Sequence, residues 1–94
     1  MLEEIIRIKA TTLTATEQTL YTNTIGAVVK TIMLHNTNST DAEVTLSLDS
    51  VIFIFTLTTK ETKIIDTHIV TNLIKAVGLG VNIHISGLQL EEAI

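Results

Sequence analysis

The strongest constraint on the fold of this chain is a pair of strand-like segments separated by a short polar break. Ala27–Asn36 is a run of mainly β-branched and apolar residues, and Val44–Asp49 alternates between apolar and polar side chains. Thr37–Asp41, between them, is rich in Asn, Ser and Asp, which are typical of turns. The pattern predicts two strands joined by a connection. The residues of the second strand predicted to face the core are Val44, Leu46 and Leu48.

Alternation also assigns the two faces of the first strand. Val28, Ile32 and Leu34 share one face with Lys30, and we expect this face to be the core, with the Lys30 ammonium reaching water at the sheet margin. Val29 then falls on the opposite face. Thr22–Gly26, which comes just before, is predicted to be a short turn.

The rest of the chain repeats these strand signals. Apolar residues make up 46% of the sequence but aromatic residues only 3%, so the core has to be built from Ile, Val and Leu, and threonine is abundant. These residues favour pleated strands. We therefore expect an all-β fold: a single β-sandwich domain over residues 1–94, jelly-roll or immunoglobulin-like, with short N- and C-terminal arms. Seven to eight short, mostly antiparallel strands are predicted, joined by turns such as Asp49-Ser50.

Thr67–Val77 is open to two interpretations. Its apolar residues fall at helical spacing, with Gly78 as a helix stop. The alternative is a β-hairpin, in which Leu73–Val77 and Val81–Ser86 are strands joined by Gly78-Leu79-Gly80. We prefer the hairpin. In it, the inward-facing residues of the last strand are Val81, Ile83 and Ile85.

Val51–Leu57, with the sequence VIFIFTL, is uncharged and apolar on both faces of a strand. Such a strand has to be covered twice, once by its own core and once by something else. Left bare, it would promote aggregation. We therefore predict that it contacts a partner subunit. The residues proposed for this interface are Val51, Phe53, Phe55 and Leu57.

The two ends of the chain offer a second candidate contact. Each end combines two glutamates with flanking apolar residues, so each could be an arm that docks on a partner. Solvated termini are the alternative. The apolar residues of the arms proposed as partner contacts are Leu2, Ile5, Leu90 and Ile94.

No pattern in the sequence points to catalysis or to a bound metal or cofactor. His35, His68 and His84 lie on three segments without the short spacing of metal ligands, so surface positions explain them better. Gly78 and Gly80 form only a GxG, which fits a turn. The chain has no cysteine and little with which to line a substrate pocket. We expect a non-enzymatic protein with no cofactor and no metal.

Charge and hydropathy exclude two kinds of partner. A net charge of −4 with only six basic residues argues against nucleic acid, which needs clustered Lys and Arg. Met1–Glu4 is acidic where a signal peptide would be basic, and no apolar run approaches the roughly 18 residues of a membrane span. We expect no nucleic-acid or membrane partner, and synthesis without export.

The order of the strand motifs along the chain is distinctive. Thr19–Thr22 precedes Ala27–Thr37, which ends in Asn-Thr; Val44–Leu48 and Lys60–Thr62 follow, and Val81–Gly87 closes the series. This order resembles that of small β-sandwich virion structural proteins of tailed bacteriophages. The resemblance covers nearly the whole domain, but its motifs are strand and turn signatures rather than catalytic residues.

The resemblance implies a structural role in the virion, first of all as a capsid decoration or cement protein that binds the assembled capsid through protein-protein contacts. A tail, neck or fibre-base accessory subunit and a receptor- or carbohydrate-binding β-module are the alternatives. The implied partners are further copies in a homo-oligomer and the major capsid protein or other virion proteins. The implied location is the virion, after synthesis in the host cytoplasm. The chain departs from the group at Thr71-Asn72, where members usually carry a Gly-Asp turn.

Overall fold

The computed structural model describes residues 5–90, and all regular secondary structure in that range is β. The strands are β1 (Ile6–Thr12), β2 (Gln18–Asn36), β3 (Ala42–Leu48), β4 (Val51–Leu57), β5 (Thr62–Ile65), β6 (Ile69–Val77) and β7 (Val81–Gln89). The prediction of an all-β fold with seven to eight mostly antiparallel strands is confirmed, although β2 is not short, and the helical interpretation of Thr67–Val77 is wrong. The jelly-roll or immunoglobulin-like sandwich stays a prediction.

The strands form one antiparallel sheet organised around β2. The order is β1-β7-β2-β6-β3-β4, and β5 also pairs with β2. β2 is 19 residues long, and three strands share it. β6 pairs with its first part, and β7 and β5 pair with its second part.

The sheet has to bend, because the short connection between β6 and β7 links two strand ends that pair with opposite ends of β2. The end of β6 pairs with the start of β2, whereas the start of β7 pairs with the end of β2. Only Gly78–Gly80 separates them, and the Gly78 N–H donates to Thr14 O (3.0 Å) while the Thr37 N–H donates to Gly80 O (3.1 Å). The two ends of β2 are therefore close together. The predicted strands are confirmed, but the predicted hairpin is wrong because β6 and β7 do not pair with each other.

The bend encloses a single apolar core. Side chains from both halves of the sheet belong to it, among them Leu20, Ile32, Leu34, Ile74 and Leu57. The inward-facing predictions for β3 and β7 are confirmed, since those residues are at most 9% exposed. They are Val44, Leu46, Leu48, Val81, Ile83 and Ile85. Aliphatic residues thus fill the interior, as the composition predicts.

A bulge in β2 reverses part of the predicted core face. At Lys30 the pairing of β2 with β7 shifts by one residue, and such a shift exchanges the faces of the residues on either side of it. Val29 is consequently buried together with Ile32 and Leu34, whereas Val28 is only half-buried. The prediction that Val28 lies in the core is wrong for this reason.

The predicted turn at Thr22–Gly26 lies inside β2 instead. There β2 loses register with β6, and Gly26 has a positive φ of 101°. The side-chain amide of Asn72 donates to the carbonyl oxygens of Asn23 (3.0 Å) and Thr24 (2.9 Å). The sequence signals a local irregularity correctly, but these contacts hold it within one continuous strand.

Asn36, at the end of β2, is fully buried and holds two connections together, the one between β2 and β3 and the one between β4 and β5. Its side-chain amide donates to Thr40 O (2.8 Å), Thr58 O (3.1 Å) and Leu57 O (3.3 Å). Its Oδ1 accepts from both the backbone N–H and the side-chain amide of Asn38, each at 2.9 Å. A buried polar group that is satisfied in this way fixes one arrangement of its surroundings.

The predicted turn at Asp49-Ser50 is confirmed and joins β3 to β4. Both residues have positive φ, 52° and 69°, as a two-residue type I′ hairpin turn requires. Asp49 Oδ1 accepts from the Asn72 N–H (2.8 Å), the Thr71 hydroxyl (2.9 Å) and the Leu73 N–H (3.2 Å). The turn is thereby anchored to β6.

We expect these hydrogen bonds to make the stability of the fold depend on pH in acid. They lower the pKa of Asp49 below its usual value, with the Asn72 N–H the largest cause and the Thr71 hydroxyl the next. The carboxylate therefore stabilises the fold above the unfolded-state pKa, and this contribution is lost as the pH falls through the folded-state pKa.

Asp49→Asn is the matched variant, because Asn has the same size and tolerates positive φ. Urea unfolding of both proteins between about pH 7 and pH 3 should show the stability of the original chain converging on that of Asp49→Asn in acid. A difference in stability that does not vary with pH would contradict the assignment.

Candidate protein-protein contact surface

β4 is an edge strand that carries no charge. Among residues 5–90 it pairs only with β3, so its other side is an open edge of the sheet. Natural proteins usually protect such an edge with charged residues or proline. The other edge strands do carry charges: β1 contains Arg7 and Lys9, and β5 contains Lys63. β4 is therefore the least protected of these edges against pairing with another chain.

The hairpin register shows which backbone groups of β4 face outward. Leu48 and Val51 flank the two-residue turn and are paired, so they exchange hydrogen bonds. Hydrogen-bonded and non-hydrogen-bonded pairs alternate along an antiparallel ladder. The N–H and C=O groups of Ile52, Ile54 and Thr56 therefore point away from β3, towards the open edge.

The side chains of β4 are exposed at its first four positions. Val51, Ile52, Phe53 and Ile54 expose between 46% and 62% of their surface. Apolar residues at this density on one strand form a continuous hydrophobic surface, which is a common mark of an interaction site.

The four residues predicted as the β4 interface therefore divide into two groups. Val51 and Phe53 are exposed, whereas Phe55 is half-buried and lies under the Lys63 ammonium, 5.8 Å from its ring centroid. Leu57 is fully buried in the core and offers no surface to a partner. Leu57 belongs to the core cluster, and its carbonyl accepts a hydrogen bond from the buried Asn36 (3.3 Å).

The inner face of β4 borders an open apolar groove of about 360 Å³. Phe53 and Phe55 form one side of this groove, and Ile65 and Ile69 belong to the chain segments on the other side. The remaining lining residues are Ile32, Leu46, Leu48, Thr67 and His68. The hydrophobic surface of β4 therefore continues around the edge into the molecule.

The structure places only part of the predicted terminal arms. Ile5 is 66% exposed, and Leu90 is half-buried with its N–H donating to Gly26 O (3.0 Å). The two do not form a joint surface with β4 in the described contacts. Leu2 and Ile94 lie outside the described residues.

Ile52 and Ile54 are also exposed apolar residues of β4, within the predicted contact segment Val51–Leu57 but outside the four residues singled out in it. They are paired with Ser47 and Thr45 of β3 and lie on the face away from the core. A signal for them was present, since counting alternate residues from the Asp49-Ser50 turn assigns their backbone groups to the open edge.

The three histidines lie on separate elements: His35 on β2, His84 on the neighbouring β7 opposite Met33, and His68 between β5 and β6. His35 Nδ1 is 2.8 Å from Thr62 Oγ1, His68 Nε2 is 3.3 Å from Lys30 Nζ, and His84 is exposed on β7. Within residues 5–90, no group of three or more potential metal ligands comes together. The same part of the chain contains no helix able to cross a membrane.

Comparison with known proteins adds no relative. No protein family matches the chain, and no curated protein is significantly similar to it.

Proposed function

We propose that this protein is a non-enzymatic structural protein of a tailed-phage virion, with capsid decoration or cement as its first role. It acts by binding other proteins, and β4 is its assembly surface. The single observation that carries the proposal is the uncharged edge of β4, with exposed apolar side chains from Val51 to Ile54. An edge of this kind supports attachment through main-chain hydrogen bonds and apolar contacts together.

The virion location is supported by the order of the strand motifs and remains an analogy with phage proteins of similar pattern. In a particle, symmetry would repeat each contact many times, so that an interface of modest area is sufficient. A tail, neck or fibre-base position would use the same surface and is the alternative.

Quantitative mass spectrometry of gradient-purified particles, from the phage whose genome encodes the chain, tests the proposal. We expect a copy number that is a multiple of the particle symmetry, and a capsid location if empty heads without tails retain the protein. Absence from particles that assemble while the protein is present in the lysate would overturn the virion role.

Phe53→Asp should reduce incorporation into particles by about tenfold or more, because a carboxylate would have to be desolvated on the contact surface. Ile64→Asp is the matched control, since Ile64 is an exposed apolar residue on another edge strand, β5. Circular dichroism has to show that both variants keep the β fold. Equal incorporation of the two variants would contradict the role of β4.

A further inference from the structure

We infer that the occupant of the β4 edge is β4 of a second copy of this chain, running antiparallel, with the twofold axis at Ile54. This rests on the proposal above that β4 is the assembly surface, and it specifies the partner and the register. Pairing of this kind would extend the sheet across two protomers.

The backbone of β4 is self-complementary in this register. Its outward-facing residues are Ile52, Ile54 and Thr56, which are placed symmetrically about Ile54. In an antiparallel pair centred there, Ile54 faces Ile54 of the second copy, and Ile52 faces Thr56. Every outward N–H and C=O of the three residues then gains a partner, and the register spans the whole strand from Val51 to Leu57.

The side chains are compatible with the same register. Between the hydrogen-bonded pairs, Phe53 faces Phe55 of the second copy in the closer, non-hydrogen-bonded position. Aromatic pairs in that position stabilise antiparallel strands. Phe53 and Phe55 also border the apolar groove, so the second copy covers its mouth, while Ile52 and Ile54 cover each other on the opposite face.

Charge favours a second copy at this edge rather than at the others. Each chain carries a net charge of −4, so two copies repel each other at any contact, and a contact strand that adds no further like charges of its own is favoured. β4 meets that condition, whereas pairing β1 or β5 with its own copy would bring Arg7, Lys9 or Lys63 together. Like charges directly opposite each other on paired strands are destabilising.

The exposed area fits a reversible dimer. The four exposed side chains of β4 offer on the order of 400 Å² in each protomer, so the side-chain area that two copies can bury is at most about 800 Å² before the paired backbones are counted. With the backbones, the interface approaches the lower limit of specific complexes, about 1,200 Å². We therefore expect a dissociation constant in the micromolar range and, because the twofold pairing uses one edge per protomer, assembly through β4 that stops at the dimer.

Single cysteines test the register, since the chain contains none. Under mild oxidation, Ile54→Cys should form a covalent dimer, because opposed residues in a hydrogen-bonded pair have Cα atoms about 5.5 Å apart, within disulfide range. Ile52→Cys alone should not, but Ile52→Cys mixed with Thr56→Cys should. Equal cross-linking of Ile52→Cys alone, or none for Ile54→Cys, would overturn the proposed axis.

A charge exchange at the axis tests the partner. Ile54→Lys and Ile54→Glu should each weaken dimerisation by about 100-fold, because each opposes its own charge and loses two buried isoleucines. Mixing the two variants should restore a heterodimer. Ile64→Lys is the control, because Ile64 (59% exposed) is as exposed as Ile54 (61% exposed) but lies on a different strand. It should leave the dimer unchanged.

Analytical ultracentrifugation of the purified proteins measures the dissociation constants of these dimers. Protein concentrations up to about 1 mM cover both the micromolar value expected for the original chain and the values expected for the weakened variants. A monomeric original chain at that concentration, or a dimer that Ile64→Lys disrupts as strongly as Ile54→Lys, would overturn the inference. Because particles are not involved, this failure is distinct from failure of the virion role: a monomer could still be incorporated, and a dimer could be absent from particles.

Discussion

Replacing Gly87 with alanine is expected to lower the midpoint of thermal unfolding by about 15 °C or more, or to prevent folding. A Cβ at Gly87 would overlap the carbonyl oxygen of Val28 and would lie 2.8 Å from Val29 Cα. These are backbone atoms, so no side-chain rotation relieves the contact. The expected cost is roughly 3 kcal/mol, at the upper end of overpacking substitutions.

The location of Gly87 explains why the backbone cannot move aside. Val28 and Val29 pair with β6 on one side and with β7 on the other, at the bend of β2. Moving them would break both ladders. Circular dichroism melts and urea unfolding measure the effect.

Gly78→Ala is the control for Gly87→Ala. Gly78 is also buried, but its nearest contact with an added Cβ is Val44 Cγ2 at 3.2 Å, the end of a side chain. We expect a loss below about 1 kcal/mol there. Similar losses for the two variants would contradict the close approach of β7 to β2.

Asn36→Asp is expected to destabilise the fold by about 3 kcal/mol or more, although the two side chains have the same shape. The substitution removes the amide that donates to the Thr40, Leu57 and Thr58 carbonyls. It also places a carboxylate oxygen against those three oxygens in a site that is 0% exposed. Urea unfolding at neutral pH measures the loss.

The pH dependence distinguishes this mechanism from a general loss of packing. In acid the introduced carboxyl becomes protonated and can donate one hydrogen bond, so the difference between Asn36→Asp and the original chain should become smaller. Asn82→Asp is the control, because Asn82 is exposed and its Oδ1 already accepts from the Thr12 hydroxyl (2.7 Å). If Asn36→Asp left the free energy of unfolding unchanged, the hydrogen bonds of Asn36 would not be what holds the connections together.

Sequence patterns predicted the strands better than the way in which the strands are connected. Undisturbed alternation gave the correct inward faces of β3 and β7. It failed at Val28 because the pairing of β2 with β7 shifts by one residue at Lys30, and a local pattern of alternation does not contain that shift. The connection of β6 to β7 was also predicted wrongly. Their proximity in sequence suggested a hairpin, but β2 is long enough for both strands to pair with it.

The candidate contact strand could be identified from sequence, but its exposed part could not be delimited. An uncharged run with two apolar faces identified Val51–Leu57, and the structure makes it an edge strand. Leu57 is buried by core residues of other strands, which are distant in the sequence. The direction of the Ile54 backbone groups follows from the predicted Asp49-Ser50 turn, but that they face an open edge follows from the order of the strands in the sheet.

The position of β7 between β1 and β2 has a consequence for how the chain folds on the ribosome. β1 pairs with β7 and with no other described strand, so it has no place in the sheet until β7, the most C-terminal of the seven described strands, has been synthesised and inserted between β1 and β2. Pairings between residues so distant in sequence form slowly. Throughout that delay the uncharged β4 hairpin is already outside the ribosome, which makes the nascent chain a candidate client of chaperones that bind hydrophobic segments.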